Sequence, residues 1–131
     1  MKRILLLFQI VLFALLFSCE SDDLHQAIGG ELTVHYESES DEELAEKILM
    51  FWRDNDLLSG KEQDLQLVRR KGIPQLSIIA KDTANIQNMP FMEKKLFSEL
   101  KLKLWKEVFR KKTFKLMISD NKFNPLYSVG E

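Results

Sequence analysis

The chain is predicted to fold as an α+β domain, with two helices on one face of an antiparallel sheet. Three observations carry this. Short stretches of period-two alternation recur along the chain, two longer stretches repeat apolar residues at helical spacing, and the pieces fall in the order β-α-β-β-α-β. Each element has its own local reason. Leu32, Val34 and Tyr36 alternate with Thr33 and His35, as in a half-buried strand. Ser40-Asp41-Glu42-Glu43 reads as a capping box, with a hydroxyl at the N-cap and a carboxylate three residues on. Leu44, Ala45, Ile48, Leu49 and Trp52 continue as a helix, which Asp54-Asn55-Asp56 and Ser59-Gly60 bring to an end.

A hairpin follows. Leu65 and Leu67 share one face of its first strand, Lys71-Gly72 supplies the turn, and Leu76, Ile78 and Ala80 share one face of the second. Pro74 lacks an amide donor and belongs at a strand start or edge. The second helix opens near Asn88-Met89-Pro90, since proline suits a first helical turn. Met92, Leu96, Leu100, Leu104 and Val108 recur every fourth residue and predict its buried stripe, with Lys94, Lys95, Lys101, Lys103 and Lys106 in other positions. Phe114, Leu116 and Ile118 alternate with Lys115 and Met117 as a fourth strand. Asp120-Asn121 then turns the chain toward a short extended piece, Leu126 to Val129. This order is that of the split βαβ, ferredoxin-like arrangement, α+β with two helices on one face. Its other face would carry Thr33, His35, Lys115 and Met117, the expected contact residues for a partner.

The N-terminal segment has a different character. Lys2 and Arg3 precede an apolar run from Ile4 to Phe17 broken only by Gln9, and acidic residues follow. The run fits the apolar region of a signal peptide and falls short of the roughly 20 residues a spanning helix needs. The chain's one cysteine, Cys19, stands just behind it.

Leu16-Phe17-Ser18-Cys19 resembles the lipobox of bacterial lipoproteins. Leu16, Ser18 and Cys19 match its pattern, and Phe17 is bulkier than the residue usual before the small one. The resemblance implies lipid on the Cys19 sulfur, cleavage between Ser18 and Cys19, and acylation of the new amino group. More than one acyl chain makes a stable anchor where a single chain does not. Glu20-Ser21-Asp22-Asp23 is similar to the acidic patch behind the lipidated cysteine in surface-exported lipoproteins of Bacteroidota. The resemblance therefore implies a bacterial cell envelope location, lipid-anchored at the outer membrane on its periplasmic or surface face. The expected organisation is a signal peptide over 1–18, a flexible acidic tether over 19–30 and one α+β domain over 31–131. Trp52 near the end of the first helix, then Leu57-Leu58-Ser59-Gly60, looks like small domains of bacterial membrane-attached proteins, a likeness that names no activity.

Charge is unevenly placed. Residues 20–64 hold fourteen acids against three bases, and residues 65–131 hold six acids against fourteen bases. The expectation is that the halves interleave in a domain of this size and neutralise each other.

Histidine and cysteine, residue types that carry much of catalysis and metal binding, are sparse in the chain. His25 and His35 are the only histidines, and with Cys19 lipidated no His/Cys set is left to hold a metal. His35 has no nucleophile signature beside it. Glu37, Glu39, Asp41, Glu42 and Glu43 cluster at a helix start, where acids suit the macrodipole without any catalytic dyad. Gly29-Gly30 precedes a strand, which rules out a phosphate cradle. The element order is shared with RNA-recognition domains and Lys71-Gly72 fits their opening, but Ile73, Gln75 and Ile78 stand where stacking aromatics are needed, so nucleic acid is not an expected partner. No cofactor is implied. The expected function is a membrane-anchored, non-catalytic interaction or assembly module contacting an envelope protein. A binding module for a small or polymeric envelope ligand comes second, and a hydrolase with a carboxylate site third.

Overall fold

The computed structural model describes residues 24–80 and 86–131. Six strands form one sheet: β1 (His25–Gly29), β2 (Leu32–Tyr36), β3 (Gln63–Arg70), β4 (Ile73–Ile79), β5 (Lys115–Ser119) and β6 (Pro125–Ser128). Two α-helices accompany them, α1 (Glu42–Asp54) between β2 and β3 and α2 (Phe91–Glu107) between β4 and β5. The strands lie side by side in chain order. Ladders β1/β2, β3/β4 and β5/β6 are antiparallel, whereas β2/β3 and β4/β5 are parallel.

This overturns the ferredoxin-like expectation. A helix crossover makes the two strands it joins run the same way. An antiparallel sheet would need a strand of opposite direction between them. Here nothing separates them, so each crossover leaves a parallel ladder and the sheet is mixed. The predicted β-α-β-β-α-β elements are present from β2 to β5, with β1 and β6 added outside. β1 lies in the segment expected to be tether: His25–Gly29 pairs along its length with β2. Gly30, at φ 61, makes the turn between them in a conformation that costs glycine little.

Register explains where the core sits. Ala27, Val34, Leu65, Ile78, Ile118 and Tyr127 oppose one another in a single row through all six strands. Leu32, Leu67, Leu76 and Leu116 extend the same face. Both helices pack there: Ala45, Ile48, Leu49, Phe51 and Trp52 of α1 join Leu104 of α2, with Val108, Phe109 and Phe114 beyond it, in one cluster with these strand residues. Phe109 and Phe114 stack with ring centroids 3.9 Å apart and planes 6° from parallel, closing the α2–β5 corner.

Two local expectations are corrected. Ser40 is not the helix N-cap. The hydroxyl of Ser38 accepts from the Ser40 amide at 3.4 Å and caps a one-turn 3-10 helix, Glu39–Asp41, from which α1 continues. The i+4 stripe of α2 is buried only at its C-terminal end. Met92 and Leu96 are 64% and 61% exposed, while Leu104 is 0% and Val108 5%. At 3.6 residues per turn, every fourth residue overshoots by about 40°. A stripe that begins toward solvent therefore rotates onto the core within five positions.

The β5–β6 loop is organised by Asp120. Its Oδ1 accepts from the Lys122 and Asn124 amides, each at 2.9 Å, and its Oδ2 accepts from Asn124 Nδ2 at 3.0 Å. These bonds, the Asn124 amide foremost, hold its carboxyl below the usual aspartate range.

Leu104→Ala should cost about 2–5 kcal/mol in urea denaturation by opening a core cavity. Leu96→Ala should stay within about 0.5 kcal/mol; equal losses would mean that α2 is rotated from the orientation described. Because the folded Asp120 binds its proton less readily than the unfolded one, its stabilisation is present above the ordinary value of 3.8 and lost as pH falls through the lowered one. The stability gap between wild type and Asp120→Ala should thus be flat near neutrality and close in acid. A gap independent of pH would show that the carboxylate bonds do not hold the loop.

Candidate functional site

The sheet face turned away from the helices carries a mainly polar row, with apolar Val68 and Ile79 beside it. Gln26, His35, Gln66, Ser77, Met117 and Ser128 form a row through all six strands, immediately beside the apolar row of the opposite face. Period-two alternation produces this division, because a one-residue step along every strand moves from core to outer face. Thr33 and Lys115 flank the row, so Thr33, His35, Lys115 and Met117 lie on one face, all half-buried.

His35 is the centre of its hydrogen bonding. Nε2–H donates to Asp64 Oδ1 at 2.9 Å, and Nδ1 accepts from the Gln26 side-chain amide at 3.5 Å. Phe123, at φ 61 in the loop that Asp120 braces, brings its ring to 6.0 Å from the imidazole. Ser77 is fully buried in the middle of the row, and its hydroxyl has no partner among the described residues. His35 and Ser77 are separated by the β3 residue Gln66, and both imidazole nitrogens are already engaged. The arrangement provides amide, hydroxyl and imidazole groups for hydrogen bonding, with no nucleophile and base in contact. Among the described residues no group of three or more His, Cys, Asp and Glu side chains is placed to hold a metal ion.

A second feature lies on the helix side. A groove of about 590 Å³ opens between the start of α1, the β3–β4 turn and the segment leaving α2. Asp41 is its buried anchor, 3% exposed. Its oxygens accept from Arg69 Nη2 at 2.8 Å and from Arg69 Nε at 3.1 and 3.2 Å. Arg69 Nη1 also donates to the Gly72 carbonyl at 3.2 Å, joining α1 to the β3–β4 turn. The Asp41 hydrogen bonds outweigh desolvation and raise the guanidinium above its ordinary range.

The outward side of α2 is the third feature. Phe91, Met92, Leu96 and Leu102 are exposed there, Phe91 at 77%, beside exposed Lys95, Lys103 and Lys106.

The expected lipidation residue Cys19 and its cleavage partner Ser18 lie outside the described residues. The acids clustered near the first helix are divided by the structure. Asp41 turns inward to Arg69, Glu37 pairs with Arg70 at 3.6 Å, and Glu43 pairs with Lys47 at 3.3 Å. Sequence reasoning missed Asp64, Ser77 and Phe123 at the sheet face and the Asp41–Arg69 pair. Each depends on strand neighbours or a loop fold that local periodicity does not specify. No helix among the described residues is long and apolar enough to cross a membrane.

Neither a curated protein nor a solved structure matches the chain. The AF_1994_N family, described as a family N-terminal domain, matches over residues 26–131. That span takes in β1 and runs through β6, the same sheet whose two rows define the core and the polar face. The chain belongs to the AF_1994_N family.

Proposed function

We propose that the domain is a non-catalytic interaction module of the bacterial cell envelope, anchored at the outer membrane by lipid on Cys19. The observation that carries the module reading is the outward side of α2. Phe91, Met92, Leu96 and Leu102 would cost less free energy under a partner than in water, and exposed apolar groups of this kind mark contact surfaces. Lysines beside them add a charge requirement. The partner is an envelope protein presenting an apolar groove with acidic residues at its rim, the arrangement that receives a helix carrying both kinds of group. A glycan would satisfy the polar sheet face but leave the apolar side chains in water. The anchor is supported by the leader: the apolar run, the lipobox-like Leu16-Phe17-Ser18-Cys19 and a cysteine with no second cysteine to pair with.

Cys19→Ala should remove the protein from the membrane fraction and abolish incorporation of labelled fatty acid. Membrane fractionation that persists unchanged would sink the anchor. For the module, a photo-crosslinker placed at Leu96 in the lipidated protein should capture one protein adduct. Phe91→Asp with Met92→Asp should abolish that adduct without lowering the unfolding midpoint, since both positions are exposed. An adduct formed equally well by the double variant would remove α2 from the interface.

A further inference from the structure

The groove on the helix side is a separate opportunity, on the opposite face of the sheet from the polar row. Its charges do not cancel. Four cationic side chains line it, Lys47, Arg69, Arg110 and Lys112, against two anionic ones, Asp41 and Glu43. Both anions are taken: Asp41 by Arg69 at 2.8 Å and Glu43 by Lys47 at 3.3 Å. Arg110 and Lys112 have no acidic partner within 4.0 Å among the described residues. The groove thus carries two uncompensated positive charges facing a wall whose third cation is fixed in place.

The chain leaving α2 is shaped to put those charges there. The Phe109 amide donates to the Leu104 carbonyl at 3.0 Å and the Lys111 amide to the Trp105 carbonyl at 2.7 Å, closing the helix end. Arg110 and Lys111 then stand at φ 51 and 65, in the left-handed region that non-glycine residues occupy at a cost. The same groove has apolar surface from Leu44, Ile73 and Pro74. At about 590 Å³ its volume falls in the range of small-ligand sites.

From these observations we infer that the groove binds a phosphate-bearing ligand, with Arg110 and Lys112 meeting the phosphate and the apolar wall receiving the body attached to it. Arginine offers a planar fork of donors to phosphate oxygens and lysine a mobile point charge. Arg69 is held against Asp41, which leaves the net charge of the groove to Arg110 and Lys112. The phosphate can come from a soluble phosphomonoester or from a phospholipid head group.

The two sources separate in titrations of the chain from residue 24 onward, which holds the core cluster of the described residues. One arm follows the backbone amide NMR signals of residues 40–47 and 108–113 with inorganic phosphate and glycerol 3-phosphate. The other measures co-sedimentation with phosphatidylcholine vesicles, with and without phosphatidylglycerol. Glycerol 3-phosphate should shift these signals more strongly than inorganic phosphate if the source is soluble. Preference for phosphatidylglycerol vesicles, lost in Arg110→Asn/Lys112→Gln, assigns the lipid head group. Asn is chosen at 110 because it tolerates the left-handed conformation. In either arm the double variant should bind about tenfold more weakly or worse, with an unchanged unfolding midpoint, while Lys122→Gln binds as wild type. Absence of binding in both arms, or binding retained by the double variant, would overturn the site. Neither result depends on Cys19, so the anchor stands or falls separately.

Discussion

The β3–β4 hairpin is the constraint on which the rest of this structure depends. Lys71 and Gly72, at φ 55 and 78, form the two-residue turn that suits a right-twisted hairpin. The turn sets Leu67 against Leu76 and Leu65 against Ile78. Those pairs occupy the middle of the sheet, and each strand then takes one parallel neighbour, β2 beside β3 and β5 beside β4. Each parallel pair requires a crossover, and each crossover is a helix delivered to the same apolar face. A slip of one residue at the turn would move Leu65 and Leu67 to the outer face and Gln66 into the core. The apolar and polar rows through the six strands are therefore one decision made at the centre.

Local chemistry made much of this readable from the chain. β2 keeps the bounds that its alternation indicates, and α1 keeps its core face from Ala45 to Trp52. Thr33, His35, Lys115 and Met117 could be assigned to one face because period two is a property of each strand alone. Asp64 could not, since it meets His35 only because β3 lies parallel to β2, a pairing between residues far apart in sequence. β1 was hidden for a different reason. In His25-Gln26-Ala27-Ile28-Gly29 only Ala27 is buried, and the larger Ile28 points to solvent, so five residues carry almost no apolar periodicity. They are a strand because β2 already offers an edge to pair with.

α2 shows the same division in one element. Its C-terminal turns are held by Leu104, with Val108 and Phe109 just beyond the helix, and the bond from Lys103 to Asn55 ties it to the end of α1. Its N-terminal turns are apolar without being buried. A helix that needed only to cover the sheet would place lysine or glutamate at Met92 and Leu96. The chain carries apolar residues there instead, and the proposed interface is what accounts for them.

The charge asymmetry of the sequence ends in the groove. Acids of the first half and bases of the second do meet: Asp41 with Arg69, Glu37 with Arg70, at the end of the molecule where β3 turns into β4. These pairs consume the basic residues on the strand side. They do not consume those at the end of α2: Arg110 and Lys112 line the same groove as Asp41 and Glu43, whose carboxylates are already held by Arg69 and Lys47. Exposed ion pairs contribute little to stability, whereas Asp41 is nearly inaccessible and would be left as a bare buried charge without Arg69. The fold thus commits one arginine to structure and leaves its neighbours' charge unspent beside it. Arg110 and Lys112 are exposed and solvated, so they cost the free domain little, while an anion entering the groove meets two cations that no carboxylate of the domain already holds.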